Sequence, residues 1–143
     1  CRIVSFKKNL LMKKYIFSAL CAIAITSCST QKTAMDITGT WNIEKAMGKS
    51  TVGAETAPFI QFENDGKMYG NASVNRFFGN YQLKGNKLKF SNLGMTLMLG
   101  ASMDIEDAVK QAIDRSNTIK ADDFKAYIFG EKNDTVMVLK KQK

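Results

Sequence analysis

The sequence predicts an α+β domain in which an antiparallel sheet packs against one helix. Three observations lead to this class: short alternating segments follow one another through tight turns, one amphipathic segment interrupts them, and a hairpin ends the chain. Strands joined by tight turns pair antiparallel, whereas parallel strands need a long crossover between them. A doubly wound dinucleotide-binding fold is therefore excluded.

Alternation of apolar and polar residues predicts the strands. In the first strand, Trp41 and Ile43 share one face and the residues between them are polar, which is typical of a half-buried strand. The Asp65-Gly66 pair lies between apolar runs and predicts a hairpin turn. A loop is predicted over 47–56 and another over 130–134. The predicted strands cover 39–45, 59–62, 67–71, 80–83, 87–90, 118–121, 124–129 and 135–140.

One helix is predicted over residues 102–116. Its apolar stripe consists of Ile105, Ala108, Val109, Ala112 and Ile113, which recur at helical spacing on an otherwise charged cylinder. The acidic residues Asp104, Glu106 and Asp107 fall in its first turn, where the helix dipole favours anions, and Arg115 closes its end. The stripe predicts that this helix covers part of the sheet.

The start of the chain has the layout of a secretory signal. Residues 12–27 begin with a methionine and two lysines and continue with an apolar run of about 11 residues, too short to span a bilayer as a helix. We interpret residues 12–27 as a lipoprotein signal peptide. Residues 1–11 precede this well-placed methionine and are interpreted as a start-site error.

The segment Ile25-Thr26-Ser27-Cys28 resembles the bacterial lipobox, in which the cysteine is diacylated and becomes the new N-terminus. Residues 28–36 would then form a lipid-anchored tether, and 37–143 the folded domain. Serine rather than aspartate after Cys28 predicts the outer membrane, with the domain facing the periplasm or the cell surface. The membrane is thus a predicted partner, held through palmitate-type acyl chains on Cys28.

Loss of the leader changes the meaning of the composition. The chain has no histidine, and after Cys28 it has no cysteine, which removes the commonest general base, the thiol nucleophile and the commonest zinc ligands. Sixteen basic and 13 acidic residues remain from Cys28 onward, a net charge of +3 that gives little argument for nucleic acid. We predict a monomeric, non-enzymatic domain without metal or cofactor.

Carboxylates are the remaining candidates for chemistry. Asp122 and Asp123 could supply half of an acid/base pair, but adjacent strand residues point to opposite faces, so a solvated turn is the preferred interpretation. The acidic first turn of the helix could bind a cation, but it lacks the spaced oxygens and glycine of a calcium loop. Charge at the helix start is preferred there.

The stretch 70–79, GNASVNRFFG, could be taken for a glycine-rich phosphate loop. It lacks the P-loop lysine and the GxGxxG spacing, and no helix follows it. We predict instead a strand that enters a polar turn and returns through Tyr81, with Asn71 and Asn75 bonded to local backbone.

Two groups of residues are candidates for contact. Arg76, Phe77 and Phe78 form a candidate contact surface, because arginine and aromatic residues are common in binding hot spots. The second group is rich in methionine and leucine and could fill the core under the helix, the preferred interpretation, or form an adaptable apolar surface. It comprises Leu93, Met95, Leu97, Met98, Leu99 and Met103.

Several of these motifs, taken in order, resemble one family. They are Gly39-Thr40-Trp41, 58–62 with the turn after it, the run G-N-x-x-x-N-R-x-x-G-x-Y over 70–81, Thr96-Leu97-Met98, and the helix with Glu106 in its first turn. Together they are similar to the META domain of HslJ-like proteins. The positions that carry the family motif are Trp41, Gly70, Asn71, Asn75, Gly79, Tyr81, Thr96 and Met98.

The resemblance implies an incompletely closed, antiparallel, barrel-like sheet packed against one helix. It also implies a non-enzymatic envelope lipoprotein that serves in binding, stress response or envelope maintenance, with no catalytic residues to carry over. Alternatives are a carrier of a small apolar ligand in the partly open barrel, or an inhibitor or assembly partner of another envelope protein. Many bacterial members have two cysteines at positions that match Val74 and Gly100 or Leu99, so packing replaces that pair here.

Overall fold

The computed structural model describes residues 34–143, so the predicted start-site error, the signal peptide, Cys28 and most of the tether lie outside the described residues. The described part contains nine strands and one helix, α1. The strands are β1 (Gly39–Ala46), β2 (Lys49–Ser50), β3 (Phe59–Phe62), β4 (Lys67–Asn71), β5 (Arg76–Lys84), β6 (Lys87–Met95), β7 (Thr118–Ala121), β8 (Lys125–Phe129) and β9 (Thr135–Lys141). Helix α1 covers Met103–Asp114.

Every strand pair is antiparallel, as the tight turns predicted. Strand β1 pairs with β3 on one side and with β9 on the other, so the pairing runs in a ring from β3 through β9 back to β1. The thinnest junction joins β6 to β7, where Lys87 opposite Thr118 is the single register pair. The predicted antiparallel sheet with one helix is confirmed at that level.

The inward faces of the ring form the core. Trp41 is 1% exposed, and its Nε1 donates to the carbonyl of Ile37 at 2.8 Å, which satisfies its polar edge. Phe62 packs edge-on against Tyr81 at a centroid separation of 4.9 Å. Because the buried side chains of all the longer strands and of α1 belong to one cluster, the interior is filled by packing.

Helix α1 covers the core with the predicted apolar stripe, all five members of which are buried. Arg115 caps its end and pairs with Asp134 at 2.9 Å. The side chain of Ser102, at the start, makes no cap of its own helix and instead accepts the N–H of Glu55 at 3.0 Å. Within residues 34–143, no helix is both long and apolar enough to cross a membrane.

Three element predictions are corrected by the structure. Strand β5 begins at Arg76, four residues before the predicted start at 80. The predicted loop over 47–56 contains β2, which pairs with the end of β1 as a short hairpin. Strand β6 continues five residues past the predicted end, to Met95, after a register shift and a residue, Asn92, with a φ of 52°. The polar residues at this irregularity concealed the continuation, because they break the alternation that marks a strand.

Candidate functional site

The GNASVNRFFG segment forms the β4–β5 hairpin. Strand β4 ends at Asn71 and β5 begins at Arg76, with the amide of Ala72 donating to the carbonyl of Asn75 at 2.8 Å. Asn71 behaves as predicted, because its Oδ1 accepts the N–H of Ser73 at 2.7 Å. Ser73 is buried with a φ of 108°, and its hydroxyl finds no hydrogen-bond partner among the described residues.

Asn75 does not make the predicted local turn bonds. Its Oδ1 accepts the N–H of Met98 at 2.6 Å and the hydroxyl of Thr96 at 2.9 Å, and its Nδ2 donates to the carbonyl of Met98 at 2.8 Å. The hydroxyl of Thr96 in turn accepts the N–H of Arg76 at 3.1 Å. The buried side-chain amide of Asn75 thus hydrogen-bonds to this backbone as a neighbouring strand would. These bonds hold the segment that follows β6 in place.

Asn75 also connects this hairpin to the helix. Its backbone N–H donates to Glu106 Oε2 at 2.7 Å and its Nδ2 donates to Oε1 at 2.9 Å. Glu106 is only 4% exposed, so the prediction that it serves merely as charge at the helix start is wrong. Because an asparagine side chain has both donors and an acceptor, Asn75 can bond at once to the segment that follows β6 and to helix α1, and so connects both to the hairpin.

The two glycines of the hairpin stand where a side chain has no room. A Cβ at Gly70 would run into the backbone carbonyl of Phe59 and would lie 2.7 Å from the ring of Phe77. A Cβ at Gly79 would lie 2.8 Å from the carbonyl of Ser91. Tyr81 donates from its hydroxyl to the carbonyl of Glu63 at 2.7 Å.

The predicted contact surface of Arg76, Phe77 and Phe78 is wrong for Phe77. Successive residues of β5 face opposite sides of the sheet, so Phe77 points into the core and is 2% exposed. Phe78 is 58% exposed and Arg76 is exposed beside it. The ring of Phe78 lies over Gly94, its partner on β6.

The preferred core interpretation of the methionine and leucine segment is wrong for its central part. Leu97 and Leu99 are each 93% exposed and Met98 is 58% exposed. We call residues 96–99 the apolar loop. The sequence signal for this loop was a run of large apolar residues between a strand and the start of the helix that follows neither strand nor helix periodicity. Composition alone could not show whether these residues are exposed or buried.

The continuation of the apolar loop is held on its other side by Glu55. Its Oε2 accepts the N–H of Ala101 at 3.0 Å. A Cβ at Gly100 would lie 2.8 Å from the methyl carbons of Val74, so the two positions that match the cysteines of the resembled family are neighbours. Val74 therefore packs directly against the backbone at Gly100.

A small cleft opens where the end of β6 faces α1. It has a volume of about 110 Å³, and its walls include Phe77, Met95 and Ile113 with Lys110 and Asp114. A cleft of this size holds a few heavy atoms, which is far below the 300–1,000 Å³ or so of ordinary ligand pockets.

The remaining carboxylate candidates lie apart in surface pairs and turns. The pKa of Asp122 lies below its usual value because the backbone N–H groups of Lys125 and Phe124 donate to its carboxylate, at 2.7 and 2.8 Å. Asp104 pairs with Lys49 at 2.7 Å, and this side-chain hydrogen bond lowers its pKa. No group of three or more potential metal ligands was found among residues 34–143.

Comparison with known proteins gives one family and a shared fold. The family model described as META domain matches residues 33–143. A DUF4847 family protein from Bacteroides vulgatus is similar in structure, with a TM-score of 0.56, 14% identity, and coverage of 74% of this chain and 94% of that one. A protein from Burkholderia xenovorans gives a TM-score of 0.54 and 22% identity over 72% and 81% of the two chains. No curated protein matches this sequence.

Proposed function

The chain belongs to the META domain family, and from that premise we propose that it is a non-enzymatic binding module of the bacterial envelope, held at the outer membrane by a lipid on Cys28. The observation that carries the binding role is the apolar loop. Its two leucines are almost wholly exposed although the backbone between them is fixed by a buried side chain. Large exposed apolar groups on a fixed backbone are typical of contact sites.

The filled interior supports a surface role over a deep site. The inward residues of the ring and the helix pack into one core, and the motif residues Asn75 and Glu106 are used in holding the fold together. Polar groups bonded to one another in this way have little capacity left for a substrate. In this proposal, the residues of the family motif hold the backbone of the apolar loop in place, and the exposed side chains of the loop contact the binding partner.

Anchoring rests on the sequence before the described residues. The apolar run ahead of Ile25-Thr26-Ser27-Cys28 supports export, and the cysteine supports acylation. Replacing Cys28 with alanine is expected to prevent lipid-dependent maturation and release the protein from the membrane fraction. Unchanged maturation and unchanged membrane association of that variant would refute the anchor while leaving the binding surface open to its own test.

The binding role is tested by photo-cross-linking in intact cells. A photoreactive residue is placed at Leu97 in the full chain, and in a control at Phe124, which is 71% exposed but lies on the β7–β8 hairpin away from the apolar loop. We expect adducts with an envelope component from position 97 and few from position 124. Equal yields at both positions, or none at 97, would contradict a specific contact there.

A carrier of a small apolar ligand is the second candidate, and the cleft beside α1 is the observation that favours it. We interpret the ring as a partly open barrel with its seam between β6 and β7, and the cleft has apolar walls at Met95 and Ile113. Native mass spectrometry of protein from its own host would reveal a retained ligand. Reproducible absence of one would count against the carrier and favour the surface module.

A further inference from the structure

The outward face of the β5–β6 hairpin is basic. Residues that oppose each other across two strands share a face, and here Lys84 opposes Lys87 while Lys89 opposes Gln82. Lys84, Lys87 and Lys89 are exposed, and Arg76 is exposed further along the same strand. We call these four cations the basic stripe.

The basic stripe has no acidic residues of its own. No aspartate or glutamate occurs between Asp65 and Asp104 in the sequence. The ion pairs found within residues 34–143 use other cations, so no carboxylate there lies within pairing distance of the stripe. Like charges that oppose each other across two strands, as at Lys84 and Lys87, cost stability in a sheet. An anionic surface bound to this face would offset that cost.

Exposed apolar side chains lie along the same hairpin. Phe78 is on the outward face between the cations, opposite Tyr69, which is 45% exposed on β4. The apolar loop follows directly after the end of β6 and presents Leu97 and Leu99. We group the outward face of this hairpin with the apolar loop at its Arg76 end as one side of the domain; it combines unpaired positive charge with exposed apolar groups.

We propose that this side binds the surface of an anionic lipid membrane. The basic stripe attracts the phosphate headgroups, and Leu97 and Leu99 insert between headgroups into the acyl boundary. This inference rests on the proposed function and assigns the contact a chemical class. It places the long axis of the β5–β6 hairpin along the membrane.

Two features favour a lipid surface over a single-stranded nucleic acid, which also binds basic sheets with exposed aromatic residues. Nucleic-acid bases stack on flat rings, whereas the most exposed groups here are the aliphatic Leu97 and Leu99. The predicted tether, residues 28–36, spans about 30 Å at most when fully extended. An anchor of that length keeps the domain against the bilayer that holds it.

Vesicle binding tests the proposal without the anchor. Residues 34–143 form one compact unit with their own core, so this polypeptide is compared on vesicles of phosphatidylcholine alone and of phosphatidylcholine mixed with phosphatidylglycerol. We expect binding to the mixed vesicles only, weakened by added salt. The double variant L97S/L99S should bind at least about tenfold more weakly. The triple variant K84Q/K87Q/K89Q should lose the preference for the anionic vesicles.

The matched control is F124S, which removes a large apolar side chain that is 71% exposed on the β7–β8 hairpin. It should bind as the wild type does. Trp41 fluorescence would verify that each variant is folded.

Absent wild-type binding to the mixed vesicles would overturn the proposal, as would equal loss in the control. Two other results would also overturn it: displacement of the protein from the vesicles by single-stranded DNA at low concentration, or a dimer that L97S/L99S abolishes. Failure on vesicles together with protein adducts from position 97 would leave the binding module standing and remove only the lipid surface.

Discussion

Replacing Asn75 with alanine should destabilise the domain more than any other polar substitution in the hairpin. The side chain makes four hydrogen bonds, two with the backbone of Met98, one with Thr96 and one with Glu106. Its removal leaves the N–H and carbonyl of Met98 and one oxygen of the buried Glu106 without these partners. Each orphaned buried group costs about 1–3 kcal/mol, and a charged one costs more.

Water will reach part of this gap, because Met98 is 58% exposed. We therefore expect a loss of about 3–5 kcal/mol in the free energy of unfolding, in the range found when one partner of a buried polar pair is removed. A protein of this size has about 5–15 kcal/mol in total, so this loss is a large fraction of the stability of the domain.

Urea unfolding of residues 34–143 measures this change. Trp41 is the single tryptophan and is 1% exposed, so its fluorescence reports loss of the core. The control is Asn80→Ala at an exposed asparagine of β5, where a change within about 0.5 kcal/mol is expected. If Asn75→Ala cost less than about 1 kcal/mol with an unchanged slope, Asn75 would not be the connection between hairpin, apolar loop and helix that its contacts indicate.

Three further outcomes follow from the same contacts. In the same urea assay, Phe77→Ala should lower the unfolding free energy by about 3–5 kcal/mol, because Phe77 is buried. Phe78→Ala should lower it by less than about 1 kcal/mol, because Phe78 is exposed, and equal effects would contradict this difference in burial. Ser73→Gly should stabilise the domain by about 1 kcal/mol and so raise its thermal midpoint. The change relieves a φ of 108° and removes a buried hydroxyl that has no hydrogen-bond partner among the described residues. A lower thermal midpoint would mean that the hydroxyl is satisfied. The carboxyl of Asp122 should titrate by NMR with a pKa below the usual value of an aspartate, because the N–H of Lys125 donates to it. Its contribution to stability is present above the pKa of the unfolded state and is lost as pH falls through the lowered pKa of the folded state. A pKa at or above the usual value would contradict these bonds.

Strands β3 to β5 show where local pattern was sufficient. The Asp65-Gly66 turn, with Gly66 at a φ of 83°, predicted the β3–β4 pairing, and the return of the chain through Tyr81 predicted the β4–β5 pairing; both are observed. A bond between Asn71 and local backbone was also predicted, because turn asparagines commonly accept a backbone N–H two residues on, and the N–H of Ser73 donates to Asn71.

Asn75 and Glu106 show where local pattern failed. They are 31 residues apart and each has an ordinary local role, as a turn asparagine and as a helix-start acid. Only the position of α1 over the end of the hairpin turns both side chains toward each other. No period or spacing in the sequence encodes a contact that two separate elements create by packing.

The sequence by itself determined the antiparallel strands, the helix with its apolar stripe and the family, because these depend on periodicity, turn chemistry and short motifs that act over a few residues. The tertiary structure decided that Phe77 is buried while Leu97 and Leu99 are exposed, that the sheet is paired in a ring, and that Asn75 fixes the apolar loop. The physical reason is that burial and long-range hydrogen bonds depend on which elements meet. An apolar residue has the same preference for the interior wherever it occurs, but only packing determines whether the interior has room for it.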